Sequence, residues 1–319
     1  MDLTLLFSSL TNPTLLFFAL GIVAHLVKSD LEIPPTTIKF ISLYLLFAIG
    51  FRGGQELAHE HLTVQFMGEL LFGMAIASVI PFYTFFLLKR ELGVQNAGAI
   101  AAAYGSVSAV TFVAASGFLE AKELAFSGRM VAIMALMESP AIIVGMVLLM
   151  RYDKEGTERP TLGHMLRHSL TNGSVLMLVG SLVIGLVADT KQAEGIKPFT
   201  TDIFKGFLAV YLLEMGMVTG ARFKAFRDYG WFVSAVAMAL PLLNGCVAAW
   251  LSGFVTPGVG DRFMFATLSA SASYIAVPAA MRLAAPRADP GLYIPMALGV
   301  TFPFNITVGM PLFYAACGG

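Results

Sequence analysis

The sequence predicts an all-α integral membrane protein whose ten transmembrane helices form a 5+5 inverted repeat. Three observations lead there. Apolar residues make up 57% of the 319-residue chain and charged residues only 13%, with a mean hydropathy of +0.78. A water-soluble domain carries about 25% charged residues and less than half apolar ones, so lipid must solvate much of this chain. Ten apolar runs of spanning length follow one another, and the second five echo the first five.

A span needs about 20 mostly apolar residues to cross a hydrocarbon layer about 30 Å thick. On that rule the spans are 14–28, 36–51, 66–88, 97–118, 129–150, 172–189, 203–221, 230–254, 263–284 and 292–317. The polar breaks between them are short, with Pro, Gly, Asp or Glu at most boundaries. The longest runs from Arg151-Tyr152-Asp153-Lys154-Glu155-Gly156 to Arg167, at mid-chain. It divides the chain into a first half, 1–150, a cytoplasmic linker, 151–171, and a second half, 172–319. Met1-Asp2-Leu3 lacks the basic start of a cleaved signal, and the apolar run from Thr14 outlasts one, so the first span is expected to be permanent. Thirteen of the twenty Lys and Arg fall in loops 28–39, 89–90, 151–167, 222–227 and 282–287, which share one side. That side is expected in the cytoplasm, with both termini outside. A net charge of zero gives no electrostatic case for nucleic acid. Cys246 and Cys317 lie in apolar runs and read as packed thiols, with no metal-ligand spacing.

The halves repeat each other span by span. Asn12-Pro13-Thr14-Leu15-Leu16 resembles Asn172-Gly173-Ser174-Val175-Leu176. Tyr44-Leu45-Leu46 leads to Gly50-Phe51-Arg52-Gly53-Gly54, as Tyr211-Leu212-Leu213 leads to Gly216-Met217-Val218-Thr219-Gly220. Ile80-Pro81 matches Leu240-Pro241. Ser106-Val107-Ser108 through Ala114-Ala115 aligns without gaps on Ser271-Ala272-Ser273 through Ala279-Ala280, and Pro140 to Met146 on Pro303 to Met310 with one insertion. Several matches keep an offset of about 160–165 residues. Five spans per half is odd, so the second half enters the membrane from the opposite side. This is the architecture of many secondary transporters, whose sites lie near the midplane where discontinuous helices of both repeats meet.

Irregular backbone survives in hydrocarbon only where it is buried or lines a wet cavity. Gly105-Ser106-Val107-Ser108-Ala109-Val110-Thr111 and Ser269-Ala270-Ser271-Ala272-Ser273-Tyr274 sit near the centres of the fourth and ninth spans. Their small residues and hydroxyls favour a helix break or a close crossing, and Pro278 follows the second. Serine and threonine oxygens can donate to an anion or ligate sodium. Half-helix N-termini would add positive dipole ends without a fixed cation, which suits a small monovalent anion. Close helix packing alone also enriches such residues, and matching positions in both repeats are what raise the site above it. Glu138, beside Ser139-Pro140, and Glu214 are carboxylates within spans, where a charge costs at least ~2.5 kcal/mol and needs a partner. Sodium could serve, and Glu138 is the first choice for a cation-linked acid, the alternative being a structural ion pair or a protonated carboxyl. Asn305-Ile306-Thr307, after Pro303, is a further candidate. His25 reads as an interhelical hydrogen-bonding residue and His59-Glu60-His61 as a solvated loop. Gly50-Phe51-Arg52-Gly53-Gly54 lacks the lysine and hydroxyl of a phosphate loop and reads as a close helix contact or bend. Arg282 could attract anions or snorkel to the interface.

Gly105-Ser106-Val107-Ser108 with Thr111, Glu138-Ser139-Pro140-Ala141, Met215-Gly216-Met217, and Ser271-Ala272-Ser273 with Pro278 and Arg282 also carry a likeness, as do Tyr293-Ile294 through Pro303 and Pro311-Leu312. Through them nearly the whole chain resembles the sodium-dependent bicarbonate permease family, known best from cyanobacterial inorganic-carbon uptake. The resemblance implies core and gate domains, sodium-driven bicarbonate import across a bacterial inner membrane, a homotrimer, and control by a PII-like cytosolic protein. It implies bicarbonate at Gly105, Ser106, Ser108, Thr111, Ser271 and Ser273, with sodium beside it at Glu138, Ser139, Ser269, Tyr274 and Asn305. No cofactor is implied beyond sodium as coupling ion. Glu138 stands where the family has an aspartate, and Tyr274 where cyanobacterial members have an acid, a departure that bears on sodium sites and substrate choice.

Two other readings remain open. One is symport of another small anion such as a short monocarboxylate, for which an apolar sub-pocket is expected and an arginine facing the cavity would be usual; neither is evident at the paired breaks. The other is a non-transporting receptor or scaffold presenting the basic central loop, which has no need of Ser106, Ser108 or Glu138. A membrane enzyme is the weakest option, since no nucleophile–base pair or metal cluster has suitable spacing.

Overall fold

Apolar side chains cover the outside of this molecule as well as its interior. Leu71, Val79 and Leu243 are more than half exposed, on helices that also contribute to the core. Helices apolar all round are those that lipid or other protein must cover. The structure, a computed structural model, describes residues 13–58, 63–153, 173–228, 230–274, 277, 281 and 285–319. Its helices in chain order are α1 (Pro13–Leu26), α2 (Pro35–Ala58), α3 (Val64–Leu88), α4 (Gly93–Gly105), α5 (Ala109–Ala121) and α6 (Arg129–Tyr152), then α7 (Gly173–Val187), α8 (Thr190–Glu194), α9 (Phe204–Asp228), α10 (Gly230–Ser252), α11 (Val259–Ser269) and α12 (Pro290–Ala316). No strand occurs among the described residues.

Six stretches among them are long and apolar enough to cross a membrane: Pro35–Gln55, Val64–Leu88, Gly93–Ala121, Arg129–Tyr152, Gly230–Ser252 and Pro290–Ala316. Leu16–Leu26 and Leu176–Val187 are apolar but shorter. The span expected near 203–221 falls on α9, and that near 263–284 on α11 and the segment after it. Pro278, Arg282, the His59-Glu60-His61 loop and most of the central linker lie outside the described residues. In α12 the prolines at 295, 303 and 311 each remove a backbone donor, and the chain answers with two π-helical turns, Met296–Thr301 and Asn305–Gly309.

The glycines matched between the halves mark the tightest helix contacts. A Cβ on Gly21 of α1 would strike the Leu213 carbonyl of α9, and one on Gly216 would strike the Phe18 carbonyl. Gly54 of α2 and Gly185 of α7 meet in the same reciprocal way. One turn along, Gly220 faces His25 and Gly50 faces Ser181, so α1 runs parallel to α9 and α2 parallel to α7. The Gly50-to-Gly54 motif thus serves close helix contact, and His25 packs against Gly220.

The remaining long helices, α3, α6, α10 and α12, pack with the two spans interrupted at mid-length, α4–α5 and α11. Each broken span is pinned where it starts. Asn96 Oδ1 in α4 accepts from the Asp289 amide just before α12, at 2.8 Å. Asp261 Oδ1 in α11 accepts from the Ser127 amide just before α6, at 2.7 Å. Asn96 and Asp261 hold equivalent places in the two halves, and so, to within a few residues, do Asp289 and Ser127. Around Asp261 the bond grows into a charged cluster: Arg129 lies 3.3 Å from the fully buried Glu69 and 4.0 Å from Asp261, and Gln65 donates to Glu69 at 2.9 Å.

Candidate functional site

Both serine-rich segments leave helical geometry at mid-span. α4 ends at Gly105, Ser106 to Ser108 are extended, and α5 begins at Ala109. α11 ends at Ser269, with Ser271 to Ser273 non-helical after it. Gly105 lets α3 approach the break closely, because a Cβ there would collide with the Pro81 ring.

The two breaks cross and bond directly. The Ser273 amide donates to the Ala103 carbonyl at 2.8 Å, and the Ser108 amide to Ser271 Oγ at 3.0 Å. Each satisfies a backbone group that its own helix has released, as hydrocarbon burial demands. Asn305 of α12, fully buried, braces the junction by donating from Nδ2 to the Ala270 carbonyl at 2.7 Å. Tyr104 and Thr301 share a 2.7 Å hydrogen bond, and Thr301 donates to the Ala237 carbonyl of α10.

A cavity of about 40 Å³ opens beside this crossing. Ser108, Ser273, Tyr274 and Glu138 line it from the broken spans and α6, and Ser42 and Tyr211 from α2 and α9. Ser108 Oγ caps α5 by accepting from the Thr111 amide at 3.2 Å, which leaves its O–H able to donate outward. Ser273 Oγ accepts from the Val277 amide at 3.4 Å and is likewise left with its proton. Ala109 and Val110 also line the cavity, and their first-turn amides are of the kind that a helix leaves without an internal acceptor. Glu138 has no hydrogen-bond or ion-pair partner among the described residues, and its side chain is among those that line the cavity.

The other expected site residues surround the crossing without lining the cavity. Ser271 and Ser269 each donate to a carbonyl of their own helix, Leu268 at 2.7 Å and Phe265 at 2.8 Å. The Ser106 hydroxyl and Asn305 Oδ1 are buried oxygens without a partner, as is Thr267 Oγ1, whereas the Tyr274 hydroxyl in the cavity meets those of Ser108 and Tyr211. Thr111 is buried behind Ser108, and Ser139 follows Glu138 on α6. Glu214 stands one turn beyond Tyr211 on α9, outside the cavity lining. Sequence reasoning passed over Ser42 and Tyr211 as site residues. Their signal was present, since Tyr211-Leu212-Leu213 and Tyr44-Leu45-Leu46 are among the matched motifs. The Glu69–Arg129–Asp261 cluster was missed too, because each of these charges lies near a span end, where a charge needs no explanation.

Two broken helices crossing inside an apolar bundle, beside a small cavity lined by serine hydroxyls and the Glu138 carboxyl, mark a multi-pass membrane protein with an ion-sized internal cavity. The chain belongs to the Na+-dependent bicarbonate transporter superfamily, whose sequence profile matches residues 13–317. No curated protein matches it.

Proposed function

We propose that this protein is a secondary transporter that couples sodium to the uptake of bicarbonate at the crossing of the fourth and ninth spans. The observation that carries the reading is the pair of hydrogen bonds joining the breaks, Ser273 to Ala103 and Ser108 to Ser271. They hold a serine hydroxyl from each half at one cavity together with the Glu138 carboxyl. The anion takes the Ser108 and Ser273 hydroxyls and the first-turn amides of α5, where the helix dipole favours negative charge. Sodium takes the Glu138 carboxylate and neighbouring oxygens. Neither ion is readily buried alone, since an isolated charge in a low-dielectric interior costs several kcal/mol. Each lowers the cost of the other, and that mutual dependence is the coupling.

The ten-span, 5+5 inverted reading is supported by the parallel pairing of α1 with α9 and α2 with α7, because a first and a seventh span cross in the same direction, as do a second and a sixth. In this reading α1, α2, α7 and α9 form the gate and the remaining spans the core. The basic loops face the cytoplasm across a bacterial inner membrane. We extend the reading to a homotrimer and a PII-like cytosolic regulator, both implied by the resemblance to the sodium-dependent bicarbonate permease family.

The test is uptake of labelled bicarbonate into proteoliposomes with and without an inward sodium gradient. Uptake should require the gradient and fall at least tenfold in both Ser108→Ala and Glu138→Gln. Sodium-independent or absent uptake by well-folded protein refutes the function, and full activity in both variants refutes the site.

A further inference from the structure

The cavity lining is mixed rather than wholly polar. Leu45 and Leu46 of α2, Val110 and Val113 of α5, Met134 of α6 and Leu178 of α7 supply its apolar lining. All six belong to one continuous apolar cluster. Val110 and Val113 lie three residues apart on one face of α5, directly after the amides assigned above to the anion. The apolar sub-pocket missing from the breaks themselves is therefore supplied by the helices around them.

Bicarbonate presents oxygen on all three corners of its plane, and each oxygen buried without a donor costs roughly 1–3 kcal/mol. Placed on the hydroxyls and α5 amides, it directs at least one oxygen at leucine, valine and methionine. A carboxylate with a short alkyl tail directs two oxygens at the donors and carbon at the apolar wall, so every group meets its like. No lysine or arginine lines the cavity among the described residues, so the anion is held by hydrogen bonds and a co-bound cation, which suits a monoanion. A cavity of about 40 Å³ has no room for a long tail.

We propose that this site takes short aliphatic monocarboxylates of two or three carbons, acetate and propionate, as transported anions alongside bicarbonate. The proposal rests on the crossing being the sodium-coupled anion site. Each methylene moved from water to the apolar wall contributes about 0.8 kcal/mol, close to a fourfold gain in affinity. Propionate should therefore bind about four times more tightly than acetate, and acetate about four times more tightly than formate. An acid too large for the wall, such as benzoate, should not compete.

The test uses wild-type protein in proteoliposomes at pH 8, where diffusion of the neutral acids is small and is subtracted as the sodium-independent component. Formate, acetate, propionate and benzoate are titrated against labelled bicarbonate uptake, and sodium-driven accumulation of labelled propionate is measured directly. The proposal expects the rising series, failure of benzoate to compete, and propionate accumulation abolished by removing sodium. Val113→Thr, which sets a hydroxyl in the wall at nearly constant shape, should flatten the propionate-to-acetate ratio toward one. Sodium-driven bicarbonate uptake untouched by any of the acids overturns this inference and leaves the proposed function standing. Absence of sodium-driven uptake of every anion overturns both.

Discussion

Ser108 and Ser271 illustrate how two serines in matched runs come to different work. Ser271 Oγ has its proton committed to the Leu268 carbonyl and a lone pair committed to the Ser108 amide. It is a joint. Ser108 Oγ has a lone pair committed to Thr111 and faces the cavity, where its hydroxyl also meets that of Tyr274. Ser271→Ala should therefore act on stability, because the buried Ser108 amide loses its acceptor at a cost of about 1–3 kcal/mol. A thermal scan in detergent should show the loss, and bicarbonate should still protect what remains folded. Ser108→Ala removes both a helix cap and a donor, while Ser108→Thr keeps both, so uptake should vanish in the first and largely return in the second. If threonine fails to rescue a stable protein, the hydroxyl is not what the anion meets.

At the scale of elements, each broken helix needs its two ends fixed for the break to hold its shape. The Asn96–Asp289 and Asp261–Ser127 bonds do this at the outer ends, and the crossing itself does it at the inner ones. The two outer clasps differ in charge. Glu69 is fully buried and depends on Arg129, so Arg129→Met strands a carboxylate and should cost about 3–5 kcal/mol. Glu69→Gln in the same background should recover most of that loss in a thermal melt, since the stranded charge is then gone. Recovery by less than half would mean that Arg129 stabilises through packing instead. The breaks themselves were legible in the sequence because glycine and serine at mid-span have few other uses in hydrocarbon. The clasps were not legible, because a charge near a span end looks the same whether it is solvated or buried under a neighbouring helix. The cavity's apolar wall was hidden for a related reason: Leu45, Leu178 and Met134 come from three different helices, and no single run of sequence shows that they meet.

Across the whole molecule, the repeat is expressed in how the halves embrace. The first span of each half packs on the second span of the other, through the glycine contacts Gly21–Gly216 and Gly54–Gly185. Matched sequence gave the offset, but which helices pair depends on complementary surfaces that periodicity does not reveal. Parallel pairing of α1 with α9 places the chain just after α1 and the start of α10 on one membrane face, although six spans separate them in the ten-span reading. Loops 89–93 and 286–289 join that face through Asn96–Asp289, while 121–128 and 253–258 lie opposite. Single cysteines at Ser29, Glu91, Trp231 and Arg287, in a Cys246→Ala, Cys317→Ala background, should react with a membrane-impermeant maleimide only from the cytoplasmic side. Cysteines at Ala125, Lys191 and Phe254 should react only from the other. Labelling of Ser29 and Trp231 from opposite sides would break the parallel pairing, and with it the inverted arrangement that brings two oppositely directed serine breaks to one cavity.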